Sequence, residues 1–166
     1  MGEQGVRMLA LEETEEQEEQ ETLEAGDLPW ILFTLDGVAY GINSQNVLSI
    51  EIFDHATPIV GDPPHMRGVT RFRDGMIPLA DLRILFGLPG RMEPAESEVR
   101  DMVIVGQWED RRMGLVVDEI LSVEFIGTFV ESHTGASRSQ YVDQIARREK
   151  DNTTVMLLNE ALLANL

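Results

Sequence analysis

The chain has no cysteine among its 166 residues. That excludes disulfides, thiolate metal centres and cysteine nucleophiles. It has one lysine, Lys150, against twelve arginines, so its positive charge is almost all guanidinium, a group suited to bidentate contacts. Positive charge is scarce as a whole: 13 basic residues face 30 acidic ones, for a net charge of −17. This balance opposes nucleic-acid binding, which needs a basic footprint. No apolar run is long enough to span a membrane as a helix. The first residues lack the apolar region of a secretory signal, and a cytoplasmic location is expected. His55, His65 and His133 stand far apart, without metal-ligand spacing. There is no GxGxxG or GxxxxGK[ST] loop, and Ser44, Ser49, Ser122, Ser132, Ser137 and Ser139 have no G-x-S-x-G setting. Asp81 reads as a helix cap and Asp118 as a turn group, and neither has a partner for acid–base work. These absences point away from an enzyme and from a metal or cofactor site.

What is present is enough for a core: 43% of the residues are hydrophobic, and the length suits one domain or two small barrels sharing a core. Residues 1–27 hold nine Glu, one Asp and one Arg, and so supply −9 of the charge. They read as an acidic, disordered tail with few apolar anchors. Folding should begin at residue 28. WILFTL (30–35) and residues 38–42 pair across Asp36-Gly37, and residues 47–53 form the next strand. After a Pro-rich connector (residues 56–68) comes the central stretch HMRGVTRFRDGMIPLADLRILFG (65–87). Asp74-Gly75 sits there between two strand-like runs, the pattern of a type I′ hairpin turn. Pro78 fits near the end of an edge strand. Asp81 then caps a short helix over 82–86, stopped at Gly87. A polar loop covers 89–98. Strands at 99–108 and 112–117 pair across Glu109-Asp110, and residues 119–130 supply more strand. ESHTGASRSQ is a loop, 141–146 a short apolar patch, TTVMLL a last strand and NEALLANL a closing helical turn. Short strands with turns at this spacing indicate antiparallel barrels.

The sequence also echoes itself. GINSQNVLSI (41–50) aligns without gaps on GLVVDEILSV (114–123), at an offset of 73, and each copy follows an expected hairpin. Two structurally similar halves are expected.

The order of motifs resembles the CheW family, the adaptor domains of bacterial chemosensory arrays, also found as the regulatory domain of the histidine kinase CheA. TPIVGDPPHMRGVTRFRDGMIPLADLR stands where the family has a P-x-x-P connector ahead of G-V-I-N-L-R-G-x-V-I-P-V-I-D-L-R. GLVVDEILSV is similar to its G-L-x-V-D-x-V-x-x-V, and LLNEALLANL to its closing L-L-D-x-x-x-L-L. The likeness runs over 30–166. It implies an all-β fold of two small five-stranded SH3-like barrels on a shared hydrophobic core, with short helices after the central hairpin and at the C-terminus. It also implies a non-enzymatic scaffold joining the cytoplasmic tips of methyl-accepting chemoreceptors to the regulatory domain of a CheA-like kinase.

Departures from the pattern bear on the partner. Arg73 keeps the family's arginine in the receptor-facing region, while Arg71 replaces its Asn and Asp74 its Gly. Asn43 replaces a frequent Pro, Ser49 an acidic residue and Asn159 the closing Asp. Asp143-Gln144 stand where many members have Arg-Gly. The expected protein-binding surface comprises Arg67, Arg71 and Arg73 as an exposed basic spot, with Phe72, Val47 and Ile50 as apolar anchors. Competing readings are a divergent scaffold for another protein partner and a small-ligand-binding barrel.

Overall fold

Asp36 and Gly37 both take positive φ, 52° and 77°, as a type I′ turn requires, and Leu35 pairs with Val38 across them. In the computed structural model this turn joins β1 (Trp30–Leu35) to β2 (Val38–Asn43), and a 3-10 turn (Ser44–Asn46) leads into β3 (Val47–Phe53). There follow β4 (Met66–Phe72), β5 (Gly75–Asp81), α1 (Leu82–Leu85), β6 (Asp101–Trp108), β7 (Arg111–Val117) and β8 (Glu119–Glu124). The last elements are β9 (Phe129–Ser132), β10 (Val142–Arg147), β11 (Thr154–Leu158) and α2 (Glu160–Leu163). The structure describes residues 28–54, 56–89, 101–132, 140–163 and 166. The tail over 1–27, most of the 89–98 loop, the loop at 133–139, and His55 and His133 lie outside the described residues.

The strands form two sheets. Sheet A has the order β8-β1-β2-β11-β10-β9 and sheet B the order β3-β6-β7-β5-β4. Equating β1, β2, β3, β4 and β5 with β6, β7, β8, β10 and β11 turns one order into the other. The two halves are therefore alike, and of these ten equated strands each sheet takes two from one half and three from the other. The expected pair of five-stranded units becomes one of six and one of five, because β9 adds to β10. Among the described residues the corresponding place on β4 holds only the isolated bridge Thr57–Val69.

The echo marks the two crossings between sheets. Residues 41–50 leave sheet A for sheet B, and 114–123 return. Its shared glycine has a steric cause. Gly41 lies opposite Leu157 in the parallel β2–β11 pair, as Gly114 lies opposite Leu79 in β7–β5. A Cβ would come within 2.8 Å of the Leu157 side chain at Gly41, and within 2.5 Å of Leu79 at Gly114.

Both faces of β1 are buried. Ile31, Phe33 and Leu35 join a core built from both sheets with Tyr40, Ile42, Ile104, Trp108, Leu115 and Leu158. Trp30 and Leu32 turn into sheet A with Val155 and Leu157. Sheet B holds its own cluster of Phe72, Ile77, Leu79, Val103, Val105 and Val116. Phe33, Tyr40, Phe86 and Tyr141 form a ladder of ring contacts across the shared core, 5.4–6.0 Å between centroids.

Two local expectations change. Phe72 pairs with Gly75, so the hairpin loop is Arg73-Asp74, one place earlier than expected, and positive φ falls on Arg73 at 53°. Phe72 and Ile77 must both face the sheet B cluster, and register follows the buried face rather than the glycine. β5 is flanked by β4 and β7 and is no edge strand. Pro78 is tolerated because the parallel pairing with β7 starts one residue later, at Leu79. Asp81 caps α1 as expected, its Oδ1 accepting from the Arg83 N–H at 3.0 Å, and Gly87 follows with φ 72°.

Candidate functional site

The β4–β5 hairpin separates the six expected surface residues. Arg71 and Arg73 are exposed, and neither makes an ion pair with a described residue. Arg73 lays its guanidinium over the Phe72 ring, 4.9 Å from the centroid, rather than against Asp74. Phe72 itself is 5% exposed and belongs to the sheet B core. It supports the tip from beneath and cannot anchor a partner from the surface. Arg67 is no free charge either. It bridges Asp81 and Asp101, each at 3.2 Å, and ties β4 to the end of β5 and the start of β6. Alternation along the strand decides this, because Arg67 sits beside buried carboxylates whose desolvation needs a partner.

On the outer face of the hairpin, Arg71 pairs with Met76 and Val69 with Pro78. Met76 is 58% exposed. Beyond Val69 and Pro78 the face runs into a cavity of about 580 Å³ walled by Ile59, Met66, Leu85 and Tyr141, with Asp62, His65 and Arg111 also lining it. Arg111 donates to the Leu166 carbonyl there. An apolar hollow with a charged rim is the usual anatomy of a protein-docking centre. The cavity lies outside the sheets, whose interiors are filled by the two clusters described above.

Sheet edges provide the second feature. Among the described residues β3 and β8 each pair with one neighbour only. Along β3 the residues alternate, with Leu48, Ile50 and Ile52 outward at 37%, 38% and 55% exposure. Val47, expected as an anchor, is half-buried and packs against the shared core. Ile50 keeps its expected place on the surface. The same stripe recurs 73 residues later: Leu121, Val123 and Phe125 are 41%, 55% and 71% exposed. The opposite sides match as well. Ser49 Oγ donates to Glu51 at 2.6 Å and Ser122 Oγ to Glu124 at 2.7 Å. Leu48, Ile52 and the whole second stripe were missing from the sequence-based site, although the echo marks Leu48, Leu121 and Val123 and period-two alternation extends the row to Ile52 and Phe125. Exposed aliphatic stripes on edge strands are what proteins otherwise blunt with charge.

Arg148 holds Glu124 through its Nε at 3.0 Å and Asp151 at 3.2 Å. Partial burial alone would raise the Glu124 pKa, but the Arg148 and Ser122 hydrogen bonds outweigh it and hold the carboxyl below its ordinary value. Among the described residues no three His, Cys, Asp or Glu side chains gather as metal ligands. No described helix is long and apolar enough to cross a membrane.

Residues 29–166 match the family model of the CheW-like domain. The chain belongs to the CheW-like family. It is 33% identical over 94 residues to the chemotaxis protein CheW of Klebsiella aerogenes, which covers 57% of this chain and 54% of that protein. The chain thus spans about half the length of that relative. It is 28% identical over 126 residues to a probable chemotaxis protein CheW of Rhizobium etli, covering 76% and 79%. Its fold is similar to that of the scaffolding protein TtCheW from Thermoanaerobacter tengcongensis, with a TM-score of 0.69 and 21% identity over 80% of this chain and 88% of that one. The relatives are named as chemotaxis proteins and the structural neighbour as a scaffolding protein.

Proposed function

We infer that this chain is a chemotaxis adaptor, located in the cytoplasm, that couples chemoreceptors to a CheA-type histidine kinase through separate protein surfaces. The observation that carries this reading is the pair of equivalent edge strands with outward apolar rows: Leu48, Ile50 and Ile52 on β3, and Leu121 and Val123 on β8 with Phe125 just past its end. Each edge is a docking surface separate from the hairpin face, so the chain can hold two neighbours at once, which a coupling protein must do. The kinase's regulatory domain docks on an edge stripe. The receptor tip meets Arg73, Arg71 and the apolar hollow beside them. Family membership and the fold similarity support the reading.

The test is calorimetric titration of the full chain against a kinase regulatory domain and against a receptor tip fragment. Ile52→Lys and Val123→Lys place charge on exposed positions and leave folding intact. At least one of them should weaken kinase binding about tenfold or more, as truncation of an interface centre does. Arg73→Glu should weaken receptor binding while sparing the kinase. Full-strength binding of both partners by all three variants would remove these surfaces from the complex.

A further inference from the structure

The internal repeat makes each sheet a template for the other, and one pair of equivalent places is filled differently. Gly41 opposite Leu157 matches Gly114 opposite Leu79. From these anchors the Val69–Pro78 pair equates with Ile145–Met156. Phe72, which pairs with Gly75, then equates with Arg148, whose N–H donates to the Thr153 carbonyl at 2.9 Å. On the edge strands, Ser49 and Glu51 equate with Ser122 and Glu124, 73 residues on.

In sheet A these groups meet. Arg148 Nε lies 3.0 and 3.1 Å from the two Glu124 oxygens, and its Nη2 donates to Ser122 Oγ at 3.3 Å. The arginine side chain is only 11% exposed. Sheet B sets the hydroxyl and carboxylate in the same way, with Ser49 Oγ donating to Glu51 at 2.6 Å. Arg148 has no counterpart there, because Phe72 stands in its place and turns into the sheet B core. Arg73, the next residue, lays its guanidinium over the Phe72 ring. Among the described residues Glu51 makes no ion pair. It is half-buried, on the side of β3 opposite the apolar stripe. A partner laid along the free edge of β3 reaches both faces of the strand.

We propose that Ser49 and Glu51 receive an arginine side chain from the protein docked on the β3 edge. The proposal rests on that edge being a partner surface and names the side chain it selects. Arginine suits the pair better than lysine, because its planar fork reaches carboxylate and hydroxyl together, whereas an ammonium is a point charge. Covering by the partner also removes the solvent screening that makes exposed ion pairs weak. A partner without the cation would leave Glu51 desolvated and unpaired, so the carboxylate discriminates against it.

Amide NMR of the full chain, titrated with N-acetyl-arginine amide in low-salt buffer, reads this site directly. Signals of residues 49–53 should move saturably, while those of 122–124, where Arg148 already sits, should stay. Glu51→Gln should abolish the shifts, and N-acetyl-lysine amide should bind at least about threefold more weakly. Arg148→Ala should free the equivalent pair, so that signals of 122–124 move as well. Arg73→Gln should leave the response at 49–53 unchanged. In titrations with the kinase regulatory domain, Glu51→Gln should weaken binding about tenfold or more. Several results would overturn the proposal: no shifts at 49–53, shifts that persist in Glu51→Gln, or shifts that appear only in Arg73→Gln. Equal binding of the lysine probe, still signals at 122–124 in Arg148→Ala, or equal kinase affinity of wild type and Glu51→Gln would do so too. Failure of the adaptor reading registers separately, as a wild-type chain that binds the arginine probe and no kinase domain.

Discussion

One oxygen of Asp118, Oδ2, accepts the Asp36 backbone N–H and an Arg83 Nη1–H, each at 2.8 Å. Arg83 stands on α1 beside sheet B, Asp36 in the first turn of sheet A, and Asp118 at the crossing between the sheets. Arg83 Nη2 also lies 3.5 Å from Asp36. The Arg83 and Asp118 side chains are only 13% and 17% exposed, so solvent screens the cluster little. Asp118→Ala should cost about 1–3 kcal/mol, since the partly buried Arg83 guanidinium loses its shortest carboxylate contact and keeps Asp36 and the Pro89 carbonyl. Asp118→Asn, which still accepts from Asp36, should cost less. Urea denaturation midpoints decide it, and equal midpoints for all three proteins would refute the role.

Gly68 has φ 131°, and a Cβ there would sit 2.1 Å from the Thr57 carbonyl oxygen. Thr57 and Val69 exchange two backbone hydrogen bonds of 2.9 Å across this contact. Gly68→Ala should cost at least about 3 kcal/mol through backbone strain and loss of the bridge. Thermal melting checks it: a midpoint within a degree of wild type contradicts the close approach.

Arg73 combines a positive φ with a guanidinium over Phe72. The ring contact is worth about 0.5–1 kcal/mol at an exposed site, and a non-glycine residue in that conformation costs about 1–2 kcal/mol. Arg73→Gly loses the first and relieves the second, so its stability should stay near wild type. Arg73→Ala loses the contact and keeps the strain, and should be the less stable of the two. Reversal of that order in denaturant titrations would contradict the backbone assignment.

A fragment of residues 28–98 should not fold. β1 and β2 need β8 and β11, β3 needs β6, and β5 needs β7; only two isolated hairpins could form, each marginal in water. Its amide NMR spectrum should be poorly dispersed, and a well-dispersed one would contradict the sheet order.

Glu160 opens α2 and accepts from Asn46 Nδ2 at 3.1 Å. Burial raises its pKa above the ordinary glutamate value, against the weaker opposing pull of the Asn46 hydrogen bond. A folded-state carboxyl raised in this way destabilises the fold as pH climbs from the unfolded glutamate pKa through the folded one. Glu160→Gln should then be more stable than wild type at about pH 8 and equal to it near pH ~3, below both values. A constant difference between the two proteins across that range would contradict the shift.

Much of this was legible in the sequence. β1, β3 and the Asp36-Gly37 turn fall where alternation and turn chemistry put them, and the Gly41/Gly114 echo announced the halves. The hairpin loop slipped by one because burial of Phe72 and Ile77 outweighs the preference of Asp-Gly. Residues 119–130 supply more strand as read, divided into β8 and β9 after Glu124, where Ile126 turns into sheet A. Arg67 looked like a surface charge because its carboxylates, Asp81 and Asp101, are 14 and 34 residues away. Local pattern does not encode such distances. Arg71 and Arg73 stand at a turn, where a neighbouring sequence is enough to predict exposure.

The exchange of strands between sheets has a consequence for chains half this length. A polypeptide with only the equivalents of β1 to β5 could complete neither sheet alone, but two copies could complete both by reciprocal swapping, each lending two strands to one sheet and three to the other. In that architecture, the covalent link between the halves turns a concentration-dependent assembly into a unimolecular one. Dilution, which would dissociate the two-chain form, cannot separate the sheets of the fused chain.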